Sequence, residues 1–294
     1  MFEKIKIKEI KLPLFILAFS VVTVVAEVLR ELSDFCVRRY EVKTDKTEET
    51  VKFVFLSDLH GKVYGEDNCK LVRAVKREKP DLILVGGDML TRSKVEADET
   101  AFRLMAQLKE IAPVYLANGN HEQKLKEYPE DYDDRYIAYK EKLEDAGIIF
   151  LENDCCDIEV KGLPMTITGL EVPVKCYTHF KTVPLSNEEI TDRIGEADAS
   201  RYQILMAHTP TYMKEYKEWG ADLTLCGHLH GGIIRLPFIG GMITPQVELF
   251  PRYSGDMYKD GEHYSIVSRG LGTHTVNLRY LNMAELVSVT INPQ

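Results

Sequence analysis

Side chains that could bind a metal follow several separate apolar segments of the chain. They are Asp58, His60, Asp88, Asn120, His121, Glu122, His208, His228 and His230. Aspartate alone is common in turns, but five of the eight histidines stand at these segment ends, and turn chemistry does not explain that. Imidazole combined with carboxylate is a donor set for Mn, Fe, Zn or Co rather than for Ca or Mg alone. The pattern therefore predicts a transition-metal site.

The stretch "LCGHLHGG", residues 225–232, places two of these histidines two positions apart between glycines. Glycine allows the backbone to turn tightly and leaves room for a ligand to approach. We expect His228 and His230 to project from one turn towards two neighbouring ions.

The elements that must position these residues alternate between strands and helices. Apolar runs at 51–58, 81–88 and 112–121 predict strands, and the intervening segments 68–80 and 99–111 have helical spacing. This β-α-β-α-β order predicts an α/β fold with parallel strands, whose ligands bind beyond the carboxyl ends of the strands. A further helix is predicted at 132–147, and strand-like segments after it predict a second sheet packed against the first.

The motifs together resemble those of a known family. "DLHG", "GGD", "GNHE", an isolated His208 and "GHLHGG" resemble, in this order, the calcineurin-like metallophosphoesterases over roughly residues 51–291. The tail "SRGLGT", a later "LR" and the apolar N-terminus are similar to the membrane-associated bacterial branch of YkuE/YaeI-like phosphodiesterases. The resemblance implies a four-layer α/β/β/α sandwich of two mixed sheets flanked by helices. One departure is Ile233 after "HGG", where the branch often has a polar residue.

The resemblance also implies a binuclear centre with two divalent ions (Mn, Fe, Zn, Co or Ni). The metal ligands carried over are Asp58, His60 and His230 for one ion, Asn120, His208 and His228 for the other, and Asp88 for both. His121 would protonate the leaving group or stabilise its charge, and Glu122 would orient His121. The expected activity is hydrolysis of a phosphomonoester or phosphodiester by a hydroxide that bridges the ions. A phospholipid or another membrane-proximal molecule is among the expected substrates.

Two other functions compete with this hypothesis. A catalytically silent binding scaffold of the same fold predicts missing ligands, yet all seven expected ligands are present. Binuclear hydrolases of the amidohydrolase or metallo-β-lactamase type also use a His-x-His pair, but theirs comes early in the chain and this one comes last. Long nucleic acids are unexpected partners, because the net charge is -9 and binding them needs clustered Lys and Arg. The sequence gives no oligomeric state.

The first 30 residues form a lysine-rich start followed by an apolar run, which has no charge from 12 to 26. A membrane span needs about 20 apolar residues, so three interpretations remain open. A signal anchor would make a single-pass cell-membrane protein with an extracytoplasmic catalytic domain. A cleaved signal peptide would make the protein secreted, and a buried core helix would suit a cytoplasmic one. We favour the anchor, with residues 31–50 as a linker and residues 51–294 as the catalytic domain.

Two later segments allow competing interpretations. The glycine-rich segment 231–245 predicts a buried hairpin in preference to a membrane-facing lip that accepts a lipid tail. Segment 174–194 contains Ser186 and Glu189 at capping-box spacing, which predicts a short helix in a lid or a surface insertion.

Overall fold

The computed structural model describes residues 7–178, 182–244, 248–273 and 276–294, with side chains described from residue 13 onward. The helices are α1 (Ile7–Ser33), α2 (Cys69–Glu78), α3 (Glu96–Lys109), α4 (Asn120–Glu127), α5 (Pro129–Tyr132), α6 (Arg135–Asp145), α7 (Asn187–Ile194) and α8 (Met213–Trp219). The strands are β1 (Phe35–Thr44), β2 (Val51–Leu56), β3 (Leu82–Val85), β4 (Val114–Ala117), β5 (Ile149–Leu151), β6 (Asp154–Val160), β7 (Leu163–Leu170), β8 (Tyr202–Ala207), β9 (Leu223–Cys226), β10 (Arg235–Leu236), β11 (Gly240–Gly241), β12 (Asp256–Asp260), β13 (His263–Val267) and β14 (Ala284–Pro293).

Two six-stranded mixed sheets form the centre of the molecule. The first has the strand order β1-β14-β2-β3-β4-β5, and the second has the order β12-β13-β9-β8-β7-β6. In the first sheet only the β14–β2 pair is antiparallel, and in the second the pairs β12–β13 and β6–β7 are. The predicted strands and the second sheet are therefore confirmed.

Three apolar clusters hold four layers together. One cluster lies between the sheets and joins side chains such as Phe53 and Leu84 to Ile204 and Leu225. A second packs α2, α3 and α6 on the outer face of the first sheet. The third packs α7 and α8 on the outer face of the second sheet. This is the α/β/β/α sandwich that the family resemblance implies.

The prediction of a linker at 31–50 is wrong for most of its length. Residues 35–44 form β1, an edge strand of the first sheet that pairs in parallel with β14. Its two consecutive arginines lie on opposite faces of the strand: Arg38 donates a hydrogen bond to Glu285, and Arg39 donates to Glu78. The polar composition of an edge strand, together with a pairing partner about 250 residues away, hides it from sequence reasoning.

The predicted helix at 132–147 is confirmed as α6, which begins later than predicted because the chain breaks after α5 ends at Tyr132. Asp133 adopts a left-handed φ of 52° at the break, which no α-helix can accommodate. Tyr136 and Tyr139 are buried on α6, as their helical spacing predicts.

Helix α1 is exposed along its apolar length. Residues 13–26 are all exposed, so the interpretation of a buried core helix is wrong. The segment Pro13–Ser33 is long and apolar enough to cross a membrane. Its 21 residues extend about 32 Å, which matches the roughly 30 Å apolar thickness of a bilayer.

The segment after His230 folds into a hairpin of two-residue strands, β10 and β11. The prediction of a buried hairpin is wrong at its tip, where Phe238 is fully exposed and Ile239 is largely exposed. So short a hairpin ends before another layer can cover it. Residue 245, the last of the predicted segment, lies outside the described residues.

The predicted helix in segment 174–194 is confirmed. Ser186 accepts a hydrogen bond from the backbone N–H of Glu189, whose side chain accepts one from the backbone N–H of Ser186. The helix that follows, α7, belongs to the outer layer of the second sheet. Residues 179–181 of this segment lie outside the described part of the chain.

Candidate metal centre

The nine predicted site residues lie at the carboxyl ends of strands from both sheets. Strands β2, β3 and β4 of the first sheet lead to Asp58, Asp88 and Asn120, and strands β8 and β9 of the second lead to His208 and His228. All nine predicted residues are buried. The sheets face each other, so their strand ends form one polar cluster within an otherwise apolar interior.

Three histidines share one orientation. Each points its Nδ1 at a backbone carbonyl and its Nε2 into the cluster. The pairs are His60 with Leu90 at 3.3 Å, His208 with Gly86 at 2.7 Å and His230 with Gly272 at 3.1 Å. A carbonyl only accepts, so Nδ1 carries the proton and the Nε2 lone pair faces the cluster. Histidines that bind metals are commonly fixed in this way.

The inward nitrogens converge on two carboxylates. Asp88 Oδ2 lies 3.2 Å from His208 Nε2 and 3.8 Å from His60 Nε2. Asp58 Oδ1 lies 3.4 Å from His230 Nε2 and 3.9 Å from His60 Nε2. Three-residue groups able to hold an ion include Asp58 with His60 and His230, and Asp88 with His208 and His228.

Lone pairs face one another in this cluster, and a cation would relieve the repulsion. The Nε2 atoms of His60 and His230 are only 3.2 Å apart. Within the described residues, Asn120 Oδ1 is buried and has no hydrogen-bond partner. Buried acceptors without donors are costly, and carboxylate, amide and imidazole are suitable ligands for divalent transition metals. The residues present therefore fit a metal centre.

The pKa values of the site histidines shift in opposite directions. Burial lowers the pKa of His230 to about 3, so its imidazole is neutral and available as a ligand. Burial also opposes a charge on His208, but Asp88 and Asp58 outweigh it and raise the pKa of His208 to about 10. A metal ion would take the place of that proton.

The backbone at the site is strained, which is common at functional sites. Five predicted ligands have left-handed φ angles: Asp58 at 55°, His60 at 49°, Asp88 at 53°, His228 at 70° and His230 at 50°. Position 227 must be glycine, because a Cβ there would lie 2.2 Å from Asp58 Oδ2. These close approaches bring the strand ends together.

His121 and Glu122 begin α4 and contact the loop that carries Asp88. The backbone N–H of His121 donates to Asp88 Oδ1 at 2.8 Å, and His121 Nδ1 accepts from the backbone N–H of Arg92 at 3.3 Å. In the neutral ring, Nε2 then carries the proton. The ring centroid of His121 lies 5.0 Å from that of His60.

The carboxylate of Glu122 is buried and anchors backbone. It accepts hydrogen bonds from the N–H groups of Asp88, Met89, Leu90 and Gly119, at 2.8, 2.8, 3.3 and 3.0 Å. Burial and the neighbouring Asp88 carboxylate raise the pKa of Glu122 to about 7, against the effect of these donors. Orientation of His121 by Glu122 stays a prediction, and these hydrogen bonds give Glu122 a further role in fixing the Asp88 loop.

Three site residues were not found from the sequence. Tyr177 is buried, with its ring centroid 5.0 Å from that of His228. Arg279, the arginine of the "LR" pair, donates to the carbonyl of Gly272, which is also the Nδ1 partner of His230. Asn282 donates to the carbonyl of His230 at 2.8 Å. Only Arg279 was marked by the sequence, as part of the "LR" pair in the family resemblance, and the pair did not predict its contact with Gly272.

Comparison with known proteins agrees with this geometry. The family described as calcineurin-like phosphoesterase matches residues 51–232. An uncharacterised metallophosphoesterase of Aquifex aeolicus (strain VF5) is 28% identical over 87% of this chain and 91% of its own. The uncharacterised metallophosphoesterase YkuE of Bacillus subtilis (strain 168) is 26% identical over 82% of this chain and 78% of its own. The phosphodiesterase YaeI of Escherichia coli (strain K12) is 28% identical over 76% of this chain and 75% of its own. The chain therefore belongs to the calcineurin-like phosphoesterase family and is a metal-dependent phosphoric ester hydrolase.

Proposed function

We propose that the chain hydrolyses a phosphodiester at a centre that holds two divalent ions. The observation that carries this proposal is the convergence of the inward Nε2 atoms on Asp58 and Asp88. Asp58, His60 and His230 would hold one ion, and Asn120, His208 and His228 would hold the other. When bound, two such ions would supply Lewis acidity towards the phosphoryl oxygens and would lower the pKa of a coordinated water.

Asp88 is the shared ligand of the proposed centre. Its Oδ2 lies between His60 and His208, which belong to different ions in this assignment. Its Oδ1 accepts the N–H of His121 and is thereby held in place. Asn120 contributes a neutral oxygen, so the centre keeps more positive charge towards an anionic substrate.

His121 donates a proton to the leaving oxygen in this proposal. Its Nδ1 accepts from the backbone, so the proton is on Nε2, the other nitrogen of the ring. A positioned proton donor typically accelerates such a step by about 10²–10⁴-fold, most where the leaving group is a poor one. Glu122 is a positioning residue, because it anchors both the Asp88 loop and the start of α4.

Similarity to YaeI, which is named a phosphodiesterase, favours the diester over the monoester. A phospholipid is a suitable diester, because α1 would keep the site near a membrane. We propose that α1 anchors the chain and that the catalytic domain is extracytoplasmic, since lysines precede the apolar run and such residues stay in the cytosol.

The substrate class is tested with an aryl diester, an alkyl diester and an aryl monoester. Faster turnover of the diesters supports the proposal, and turnover of the monoester alone contradicts it. His121→Gln should slow the alkyl diester by roughly 100-fold and the aryl diester much less. His263→Gln is the matched control, because the ring of His263 forms hydrogen bonds with the Ala221 carbonyl and the Ser265 hydroxyl, away from the site. Equal losses on both diesters would contradict the role of His121.

The orientation of the chain is tested by thiol labelling. Cys69 and Cys155 are exposed on the catalytic domain. A maleimide that cannot cross membranes should label them in intact cells. Labelling only after the cells are broken would place the domain in the cytoplasm.

A further inference from the structure

The segment between His230, the last predicted metal ligand, and β12 exposes large apolar side chains. Phe238 is fully exposed at the tip of the β10–β11 hairpin, beside Ile239 at 60% exposure. Phe250 in the same segment is also exposed, and so is Leu281, which follows β13 in the chain. Soluble surfaces rarely collect such side chains without a partner.

Three of these residues have a strained backbone. Phe238, Phe250 and Leu281 have left-handed φ angles of 68°, 51° and 53°. Bulky residues rarely adopt this region, and the cost is usually offset by tight packing around the residue. These three side chains are exposed instead, so packing within the domain does not explain them.

The hairpin tip lies across a groove from the end of α1. The groove has a volume of about 720 Å³, and Glu27, Arg30 and Glu31 line it on the helix side. Phe238, Ile239 and Leu281 line it as well. The exposed apolar side chains are therefore close to the point where the apolar helix ends.

Contacts with the domain fix the position of this helix end. The buried carboxylate of Glu31 accepts the backbone N–H of Asn282 at 2.8 Å. Lys62 donates to the carbonyl of Leu32 at 2.7 Å. The α1 end and the domain thus form one unit, and the hairpin tip has a defined place beside the helix.

We propose that the hairpin tip, Phe238 and Ile239, inserts into the interfacial layer of the lipid bilayer that α1 crosses. Aromatic and aliphatic side chains next to arginines are favoured at that depth, and Arg30 and Arg252 line the same groove. A bilayer is the occupant that fits, because the hairpin tip lines the same groove as the end of an apolar helix that is exposed along its length. This inference rests on the proposed anchoring by α1 but not on the hydrolase activity.

The insertion would also set the distance between the metal centre and the membrane. Phe238 lies eight positions after His230, and the first strand of the hairpin begins at Arg235. Eight extended residues span at most about 28 Å, so the centre would lie within that distance of the lipid headgroups.

The test places an indole at the tip of the full-length chain. Phe238→Trp is reconstituted in nanodiscs of phosphatidylcholine and phosphatidylglycerol, one copy per disc, with and without bromine on the acyl chains. Trp219 is the only native tryptophan, and it is buried, so the wild-type chain supplies the baseline. Ile137→Trp is the matched control: Ile137 is exposed on α6, which packs at the β5 side of the first sheet, far from β1.

We expect bromine to quench the added emission of Phe238→Trp and to leave that of Ile137→Trp unchanged. An unquenched Phe238→Trp on discs that carry the chain overturns the proposal. Emission that shifts to the blue only when discs hold two or more copies would assign the tip to a second copy, and it also overturns the proposal. If the chain does not purify with the discs, the proposed anchoring by α1 is wrong. Hydrolase activity in the same fractions would show that the protein is folded, so that this result is not caused by misfolding.

Discussion

Glu122→Gln tests whether a buried carboxylate holds the Asp88 loop. One oxygen of Glu122 accepts from Met89 and Leu90, and the other accepts from Asp88 and Gly119. Glutamine keeps one acceptor oxygen and replaces the other with an NH₂ group. Two backbone N–H groups would then face a donor instead of an acceptor.

The magnitude follows from the number of bonds lost. A hydrogen bond to a charged group contributes about 1.5–3 kcal/mol, so the loss of two destabilises the chain by roughly 3 kcal/mol or more. For a chain of this size that corresponds to a fall in melting temperature of roughly 6–12 °C. Metal affinity should fall roughly 10–100-fold, because the substitution disturbs a group that orients a ligand.

The assay is thermal unfolding with and without chelator, followed by metal titration, all at pH 8. Glu127→Gln is the control: it makes the same charge change on the same helix, at an exposed side chain that accepts a hydrogen bond from Gln123. Wild-type melting temperature and wild-type metal affinity in Glu122→Gln would refute the reasoning.

Three further perturbations address other parts of the structure. Gly227→Ala should abolish turnover while the protein stays folded, because the new Cβ would lie 2.2 Å from Asp58; wild-type kcat would contradict this. Asn282→Ala leaves the His230 carbonyl without its donor and should lower kcat about 10-fold at saturating metal; an unchanged pH–rate profile and kcat would exclude a positioning role. Burial raises the pKa of Glu78, but hydrogen bonds from basic side chains outweigh it and lower the pKa to about 2. Glu78 therefore stabilises the fold above its unfolded pKa of 4.5, and this contribution is lost as pH falls through that range to about 2. Because its arginine partner is exposed, Glu78→Gln should cost only roughly 1 kcal/mol at pH 7 and nothing near pH 2, as chelator-treated unfolding curves would show.

Much of the fold was accessible from local patterns. The strands leading to Asp58, Asp88 and His228 are apolar runs that stop at glycine or a polar residue, and such runs predict strands from the local sequence alone. The grouping of histidine and aspartate at their ends predicted one cluster, because strand ends of a sheet share an edge.

The remaining features depend on contacts between distant residues. Strand β1 is polar, and only its pairing with β14 makes it a strand. Asn282 lies 52 positions from His230, so no spacing could connect them. The exposure of Phe238 could not be predicted either. An apolar, glycine-rich segment predicts burial, and only the structure shows that its hairpin has just two residue pairs.

Metal dependence tests the central claim most directly. The full-length chain is stripped of metal, and Mn, Fe, Co, Ni and Zn are titrated back separately, with bound ions and diester hydrolysis measured together. The account predicts that activity rises with occupancy to two ions per chain and that Asp88→Asn loses both the second ion and the activity. Full activity in the stripped protein, or wild-type activity in Asp88→Asn, would contradict it.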